Sequence, residues 1–297
     1  MTRRIPYPER DRRAACFSFT CLMPEGHVLH RAARLQRRRF AGTEVRASSP
    51  QGRFAGGAAA LDGQTLTGIE ALGKHLFYRF ASGDVLHVHL GLFGKFRVRT
   101  RPAPEPSPNA RLVLENETDH LHLAGPTACD LVTPDDEDAI RARLGPDPIL
   151  APSDGANRLA ERLHRRSISI GAALLDQKVV AGIGNVYRSE LLFLAGIHPL
   201  TVARTLDDAA VADVWDRSVT ALKDGERMGR IVTVVPGEMG AKSARELTRG
   251  DRLYAYKRDG DPCRRCGDEI VSADADGRNV WWCPTCQPPS GELVQRR

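Results

Sequence analysis

Seven cysteines occur in the chain, and four of them close its C-terminal end as Cys263-x2-Cys266-x16-Cys283-x2-Cys286. Two pairs at this spacing can bring four thiolates to the corners of one tetrahedron around Zn2+, with the intervening residues folded as a hairpin. Four sulfur ligands leave the metal no open position, so the site is expected to be structural. Its formation would supply folding energy to a segment too short to build a core. Two disulfides are the alternative, but Cys16, Cys21 and Cys129 add no framework and nothing else in the sequence indicates an oxidising compartment. A zinc ribbon alone names no function.

A second constellation is Gln177-Lys178-Val179-Val180-Ala181-Gly182-Ile183-Gly184-Asn185-Val186-Tyr187, a Gly-x-Gly turn between two helical patterns. Glycine allows close backbone approach, and Asn185 is placed to cap the following helix. Free N–H groups at such a helix start suit a phosphate. A helical hairpin whose glycines serve only packing explains the spacing equally well.

The elements that must position these residues are legible from periodicity. Between Gly68 and Arg99 the pattern is strand-like: Leu76 to Phe80, a turn at Ala81-Ser82-Gly83-Asp84, then Val85 to Leu90, then Phe96 and Val98 alternating with Arg97 and Arg99. Pro102, Pro104, Pro106 and Pro108 mark an exposed loop, after which Arg111–Leu114 and His120–Leu123 return to alternation. Thr133-Pro134 opens a short helix, with Thr133 as N-cap. Gly145-Pro146-Asp147-Pro148 is a domain boundary, and helical patterns follow over 156–165, 171–177, 185–195 and 206–224. The expected fold is α+β and multidomain: an N-terminal β-sandwich with flanking helices over 23–148, a helical domain over 149–253, a zinc ribbon over 254–288, and a tail over 289–297. Residues 1–22 precede this arrangement as an extension.

Hydrophobic residues make up 41% of the 297 and charged residues 27%, and no apolar run approaches a membrane span. The N-terminal stretch is a poor signal peptide. A cytosolic protein with no membrane partner is therefore expected, and the chain is expected to be a monomer. The net charge of +6 hints at an anionic partner, but half of it comes from residues 1–22, where five arginines face Glu9 and Asp11. Local placement of charge must carry any nucleic-acid argument.

Taken in chain order, Met23-Pro24-Glu25, Gly73-Lys74, Gly182-Ile183-Gly184-Asn185 and a four-cysteine finger with Gly277-Arg278 before its third cysteine resemble the formamidopyrimidine-DNA glycosylase and endonuclease VIII family of base-excision-repair enzymes. The resemblance spans 23–287. It implies that the 149–253 domain is a helix–two-turns–helix domain, that damaged DNA is the partner and that one structural Zn2+ is the only cofactor. It also implies that the amine of Pro24, exposed once Met23 is removed, attacks C1′ of the damaged nucleotide and forms a Schiff base. Glu25 would move protons during base loss and sugar opening, and Lys74 would contact phosphate and assist β-elimination. Gly184 and Asn185 would hold phosphates beside the lesion, and Arg278 would grip the lesion-side phosphate and assist δ-elimination. Leu92 and Phe93 occupy the family's first wedge loop and become the candidate intercalators, with ordinary core or turn packing as the other reading. Cys263, Cys266, Cys283 and Cys286 hold the metal.

An internal proline nitrogen is a tertiary amide and cannot form a Schiff base. The expectation is therefore that translation begins at Met23; an inactive damage-binding protein is the alternative if residues 1–22 are retained. The sequence also departs from the formamidopyrimidine branch. Gly125-Pro126-Thr127-Ala128-Cys129-Asp130 supplies neither the Arg nor the Phe that the branch places against the opposite base, and Val28 replaces an acidic residue common in relatives. These departures favour an endonuclease VIII-like enzyme acting on oxidised pyrimidines, with an 8-oxoguanine type as the alternative. His87 and His89 read as structural or DNA-edge residues.

Overall fold

The structure, a computed structural model, describes residues 24–275 and 277–294 together with the backbone of Phe17–Ser18. The rest of the N-terminal extension, Met23, Asp276 and the last three residues of the tail lie outside the described residues. Two compact units form, and they do not follow chain order: residues 35–69 and 77–131 belong to one, whereas 23–34, 70–76 and 132–297 belong to the other.

Nine strands build the first sheet: β1 (Phe17–Ser18), β2 (Thr43–Ser48), β3 (Gln64–Leu72), β4 (His75–Phe80), β5 (Val85–His89), β6 (Lys95–Thr100), β7 (Ala110–Glu115), β8 (Asp119–Ala124) and β9 (Ala128–Val132). Their order is β1-β6-β8-β7-β2-β3-β4-β5-β9. Strand β2 pairs with β3 through Thr43–Val45 and with β7 through Arg46–Ser48, so the sheet divides there into the two halves expected of a sandwich. Alternation decides what each strand buries. In β6, Phe96 and Val98 are buried while Arg97 is exposed, as the two-residue period of a strand requires.

Helix α1 (Gly26–Phe40) follows Pro24 and Glu25, and its buried positions Leu29, Ala32, Ala33, Gln36 and Phe40 follow the helical period. Helix α2 (Ala55–Leu61) is short. Helix α3 (Pro134–Arg143) starts with a capping box in which the Thr133 hydroxyl accepts from the Asp136 amide and the Asp136 carboxylate accepts from the Thr133 amide. Four helices complete the helical part: α4 (Gly155–Leu163), α5 (Ile170–Ala173), α6 (Asn185–Ala195) and α7 (Asp208–Met228). Leu159, Leu163, Val180, Ile183, Tyr187, Leu191, Val214, Trp215 and Leu222 form one buried cluster among them. Each large side chain of that kind contributes about 1.5–3 kcal/mol on burial, enough to hold the α5–α6 connection without regular structure. A hairpin of β10 (Val271–Asp274) and β11 (Asn279–Trp282) forms the finger. No described helix is long and apolar enough to cross a membrane.

Candidate active site

Glu25 lies immediately before α1 and is buried. Its Oε2 accepts from the amides of Gly184 (2.9 Å) and Tyr187 (3.3 Å), and its Oε1 accepts from the Val186 amide (2.8 Å). These are N–H groups that a helix start leaves without partners. Gly184, not Asn185, is the N-cap of α6, and its backbone makes no side-chain cap bond. The sequence placed Asn185 as the cap and left amides suited to a phosphate, with a hairpin that serves only packing as the equal alternative; a carboxylate from 159 residues upstream takes the amides instead. The positive end of the helix favours an anion whatever its source, and here the protein supplies its own. Burial raises the Glu25 carboxyl above its ordinary pKa, while Lys74 and the three amides oppose the shift. The result is an acid whose proton affinity exceeds the usual range, beside a buried Pro24.

Lys74 projects from the turn between β3 and β4. Gly73 adopts φ 58, and a Cβ there would come within 2.9 Å of the Ala181 Cβ, so glycine is required on both counts. Lys74 is half-buried, and its Nζ donates to the Ile183 carbonyl at 2.6 Å. Burial brings its pKa down to about 8; Arg278 adds to the fall and Glu25 works against it. The Gly73 amide donates to Asp147 Oδ2 at 2.7 Å, the same oxygen bonds His30 Nε2 at 2.7 Å, and Asp147 Oδ1 accepts from the Ile149 amide at 2.8 Å. Nearby, the Gly26 amide donates to the Gly182 carbonyl at 2.8 Å. Glu25, Lys74 and the start of α1 are thus all fastened to the turn 182–184.

Arg278 is exposed at the end of the finger hairpin. Its main chain is held from α6 by Arg188, which is fully buried and donates to the carbonyls of Arg278 (3.1 Å), Asn279 (2.8 Å) and Gly171 (3.2 Å). Arg188 also donates to Asn185 Oδ1, and Asn185 Nδ2 donates to the Asn279 carbonyl at 3.2 Å. Asn185 therefore links α6 to the finger. Arg188 was not singled out by the sequence, where it sits among apolar residues of one helix. Its finger partners, the Arg278 and Asn279 carbonyls, lie about ninety positions downstream, and the Gly171 carbonyl lies on a separate helix.

The four finger cysteines place their Sγ atoms within 4.8 Å of one another, with Cys263–Cys286 at 3.8 Å and Cys266–Cys283 at 3.4 Å. A tetrahedron with Zn–S bonds of about 2.3 Å has edges of about 3.8 Å. Backbone amides of Arg265 and Cys286 point at the sulfurs of Cys263 and Cys283, at 3.4 and 3.5 Å, which favours the thiolate form a metal needs. The set fits one structural zinc. Behind it, Phe193 of α6 packs with Tyr254, Ile270 and Trp281, and the Glu190 carboxylate accepts from the amides of Tyr254, Ala255 and Tyr256, each at 2.8 Å.

Leu92 and Phe93 belong to the other unit, at the tip between β5 and β6, and are 48% and 84% exposed. They are not core residues. The Thr127 amide donates to the His89 carbonyl at 2.9 Å, and a Cβ on Gly91 would overlap Thr127 Oγ1. The segment after β8 therefore braces this tip from behind. Pro24, Glu25, Lys74, Gly184, Asn185, Arg278 and the four cysteines all fall in one unit, whereas Leu92 and Phe93 do not.

Likeness to known proteins gives the class, a zinc-finger DNA glycosylase of base excision repair. Three family profiles match the chain: the formamidopyrimidine-DNA glycosylase N-terminal domain over 23–127, its H2TH (helix–two-turns–helix) domain over 144–235, and the zinc finger found in FPG and IleRS over 260–289. Endonuclease 8 1 of Mycobacterium tuberculosis is 44% identical over 270 residues, covering 89% of this chain and all of the relative. Endonuclease 8 2 of Mycobacterium bovis is 34% identical over the same span and coverage. Among solved structures, a mutant of Lactococcus lactis Fpg bound to DNA containing Fapy-dG superposes with a TM-score of 0.74 at 26% identity, covering 90% of this chain and all of that one. The complex of Lactococcus lactis Fpg with abasic-site DNA gives 0.73 at 26%, covering 89% and all. The chain belongs to the formamidopyrimidine-DNA glycosylase and endonuclease 8 family.

Proposed function

We propose that this enzyme is a bifunctional glycosylase and lyase that removes oxidised pyrimidines from DNA, with Pro24 as its nucleophile. The observation that carries the reading is the convergence of Glu25, the chain neighbour of Pro24, and Lys74 on the turn 182–184. In this reading a secondary amine at Pro24 attacks C1′ through its lone pair. The base leaves with its bonding electrons and takes a proton, the Pro24 nitrogen gives up its own proton, its lone pair then opens the C1′–O4′ bond to form the C1′=N iminium, and O4′ takes a second proton. Glu25, with its raised proton affinity, moves those protons. The resulting iminium acidifies C2′–H, so β-elimination breaks the bond to the 3′ phosphate, and δ-elimination then releases the sugar from the 5′ phosphate. Covalent catalysis divides one hard displacement into easier steps. Lys74 and Arg278 offer the positive charge that phosphates require, Arg278 through a fork that matches two oxygens. Gly184 and Asn185 shape the phosphate-side turn, and Leu92 and Phe93 fill the gap left by the extruded base.

The chemistry imposes one condition: the Pro24 nitrogen must be a free amine, so Met23 and everything before it must be absent. A protein beginning at Met23, with that methionine removed, is expected to give a borohydride-trapped DNA adduct, and the 297-residue chain is expected to give none. Equal trapping by both, with clipping excluded by intact mass, refutes Pro24 as nucleophile. The domain divisions at 148/149 and 253/254 belong to the same reading, as do a monomeric state and a cytosolic site of action. Lesion choice is tested by cleavage of thymine glycol, dihydrouracil, 5-hydroxycytosine and 8-oxoguanine in duplex and single strands. A preference for 8-oxoguanine opposite cytosine overturns the pyrimidine assignment.

A further inference from the structure

The turn that receives Glu25 and Lys74 is itself held by a single side chain. Gln177 Oε1 accepts from the Gly182 amide at 2.9 Å, and its Nε2 donates to the carbonyls of Leu175 (2.9 Å) and Ile183 (3.0 Å). Only a carboxamide accepts and donates twice from one plane, and asparagine is a methylene too short to span the same atoms. Gly182 and Ile183, fixed by this arrangement, and Gly184 after them then face the site in order. The Gly182 carbonyl takes the Gly26 amide, the Ile183 carbonyl takes the Lys74 ammonium, and the Gly184 amide reaches Glu25.

We propose that Gln177 is a positioning residue that sets Lys74 and Glu25 against each other by fixing the turn 182–184. It touches no reacting atom. Its Nε2 and Lys74 Nζ donate to the same carbonyl oxygen, at 3.0 and 2.6 Å, so the two nitrogens lie within reach of direct electrostatic interaction. The other charged groups facing Lys74 are Glu25 and Arg278, and Asp147 holds the neighbouring Gly73 amide. Val180 and Ile183 are fully buried in the helical core, so the turn keeps its place in the fold when Gln177 is removed and loses only its fine geometry. The inference rests on the catalytic reading of Glu25 and Lys74 given above.

The test uses two variants. The chain has six lysines, so carbon-13 labelling of lysine gives six side-chain signals whose titrations are followed by NMR on the full chain, with Lys74 assigned by its loss in Lys74→Arg. In Gln177→Glu a carboxylate replaces the Nε2 donor, and the Lys74 midpoint is expected to rise from about 8 to about 9 or above. A loosened fold would also raise it, by exposing Lys74 to water, so hydrogen-exchange protection of the Gly182 and Gly184 amides is measured alongside; the rise is expected with protection kept, and a rise that comes with lost protection overturns the proposal. In Gln177→Ala, kcat for cleavage of an abasic-site duplex is expected to fall about 10- to 100-fold, with KM changed by less than about threefold. This is measured on whichever N-terminal form cleaves. An unmoved Lys74 midpoint in Gln177→Glu, or wild-type kcat in Gln177→Ala, overturns the proposal. If Lys74→Met still cleaves at the wild-type rate while the midpoint shift is present, the positioning of Lys74 stands and its catalytic assignment falls.

Discussion

Gly184→Ala is the sharpest probe of the site, because its effect is purely steric. The Gly184 backbone, at φ −124 and ψ −164, is open to any residue, so alanine brings no strain of its own. Its Cβ would nevertheless lie 2.4 Å from Glu25 Cδ, 2.5 Å from Cγ and 2.7 Å from Oε1. Restoring ordinary contact requires a movement of about 1 Å, and a misplacement of that size in a catalytic group costs on the order of 100-fold in rate. Glu25 cannot move freely, since three amides hold it at 2.8–3.3 Å. Each hydrogen bond to a charged group is worth about 1.5–3 kcal/mol, so loss of one or two costs roughly 2–5 kcal/mol of stability as well. The assay is single-turnover cleavage of a lesion duplex, paired with a thermal melt, with Gly237→Ala as control because a Cβ there meets nothing within 4 Å. If Gly184→Ala cleaves and melts like wild type while the control does too, the described packing of Glu25 against the helix start is wrong.

Further outcomes follow from the same geometry. Arg278→Ala is expected to retain one zinc per chain by metal analysis, because the bonds from Arg188 hold the Arg278 carbonyl, which alanine keeps; cleavage should fall about 10- to 100-fold. Phe93→Ala should leave the thermal midpoint in place, since the ring is 84% exposed. It should weaken binding to an abasic-analogue duplex by about 1–3 kcal/mol, as measured by titration. For Lys74, with a pKa near 8, the ammonium is present below that value and lost above it, so affinity for the same duplex should fall between pH 7 and 9 at fixed salt; Lys74→Arg should flatten that fall. The linked effect on folding has the opposite sign. The unfolded chain keeps this proton up to about 10.4 while the folded one releases it, so this group's contribution to stability rises with pH between those values.

What the sequence revealed and what it hid follow a physical line. The cysteine quartet was legible because ligand spacing encodes a tetrahedron locally, and the start of α3 was legible because Thr133, Pro134 and Asp136 cap within four residues. The alternation of Phe96 and Val98 with arginines read directly as a half-buried strand. By contrast, Asn185 was misread as a cap because Gly184 carries no side chain to announce that role, and the true partner of the helix start, Glu25, lies in another part of the chain. Arg188, Gln177 and Asp147 were invisible for the same reason. Each is a polar residue whose meaning lies in backbone groups brought close by folding, and backbone groups leave no mark in a sequence. Helix α1 was covered only by the general expectation of flanking helices, although Leu29, Ala33, Gln36 and Phe40 keep the helical period. The buried glutamine interrupts its apolar stripe, and its oxygen accepts from the Tyr78 hydroxyl.

The bonding of Glu25 changes how experiments at that position must be interpreted. In the proposed mechanism a substitution there changes a proton carrier, and in the fold it changes the first turn of α6, the helix from which Arg188 steadies the finger. Glu25→Gln keeps the shape but turns an amide nitrogen toward amide donors, so a drop in activity mixes lost chemistry with a loosened scaffold. Separating the two calls for measurements on α6 itself, such as hydrogen exchange at Val186 and Tyr187, alongside any rate. An acid that doubles as a structural fastener leaves little freedom to alter either role alone, which ties the reactivity of this centre to the integrity of the helix it secures.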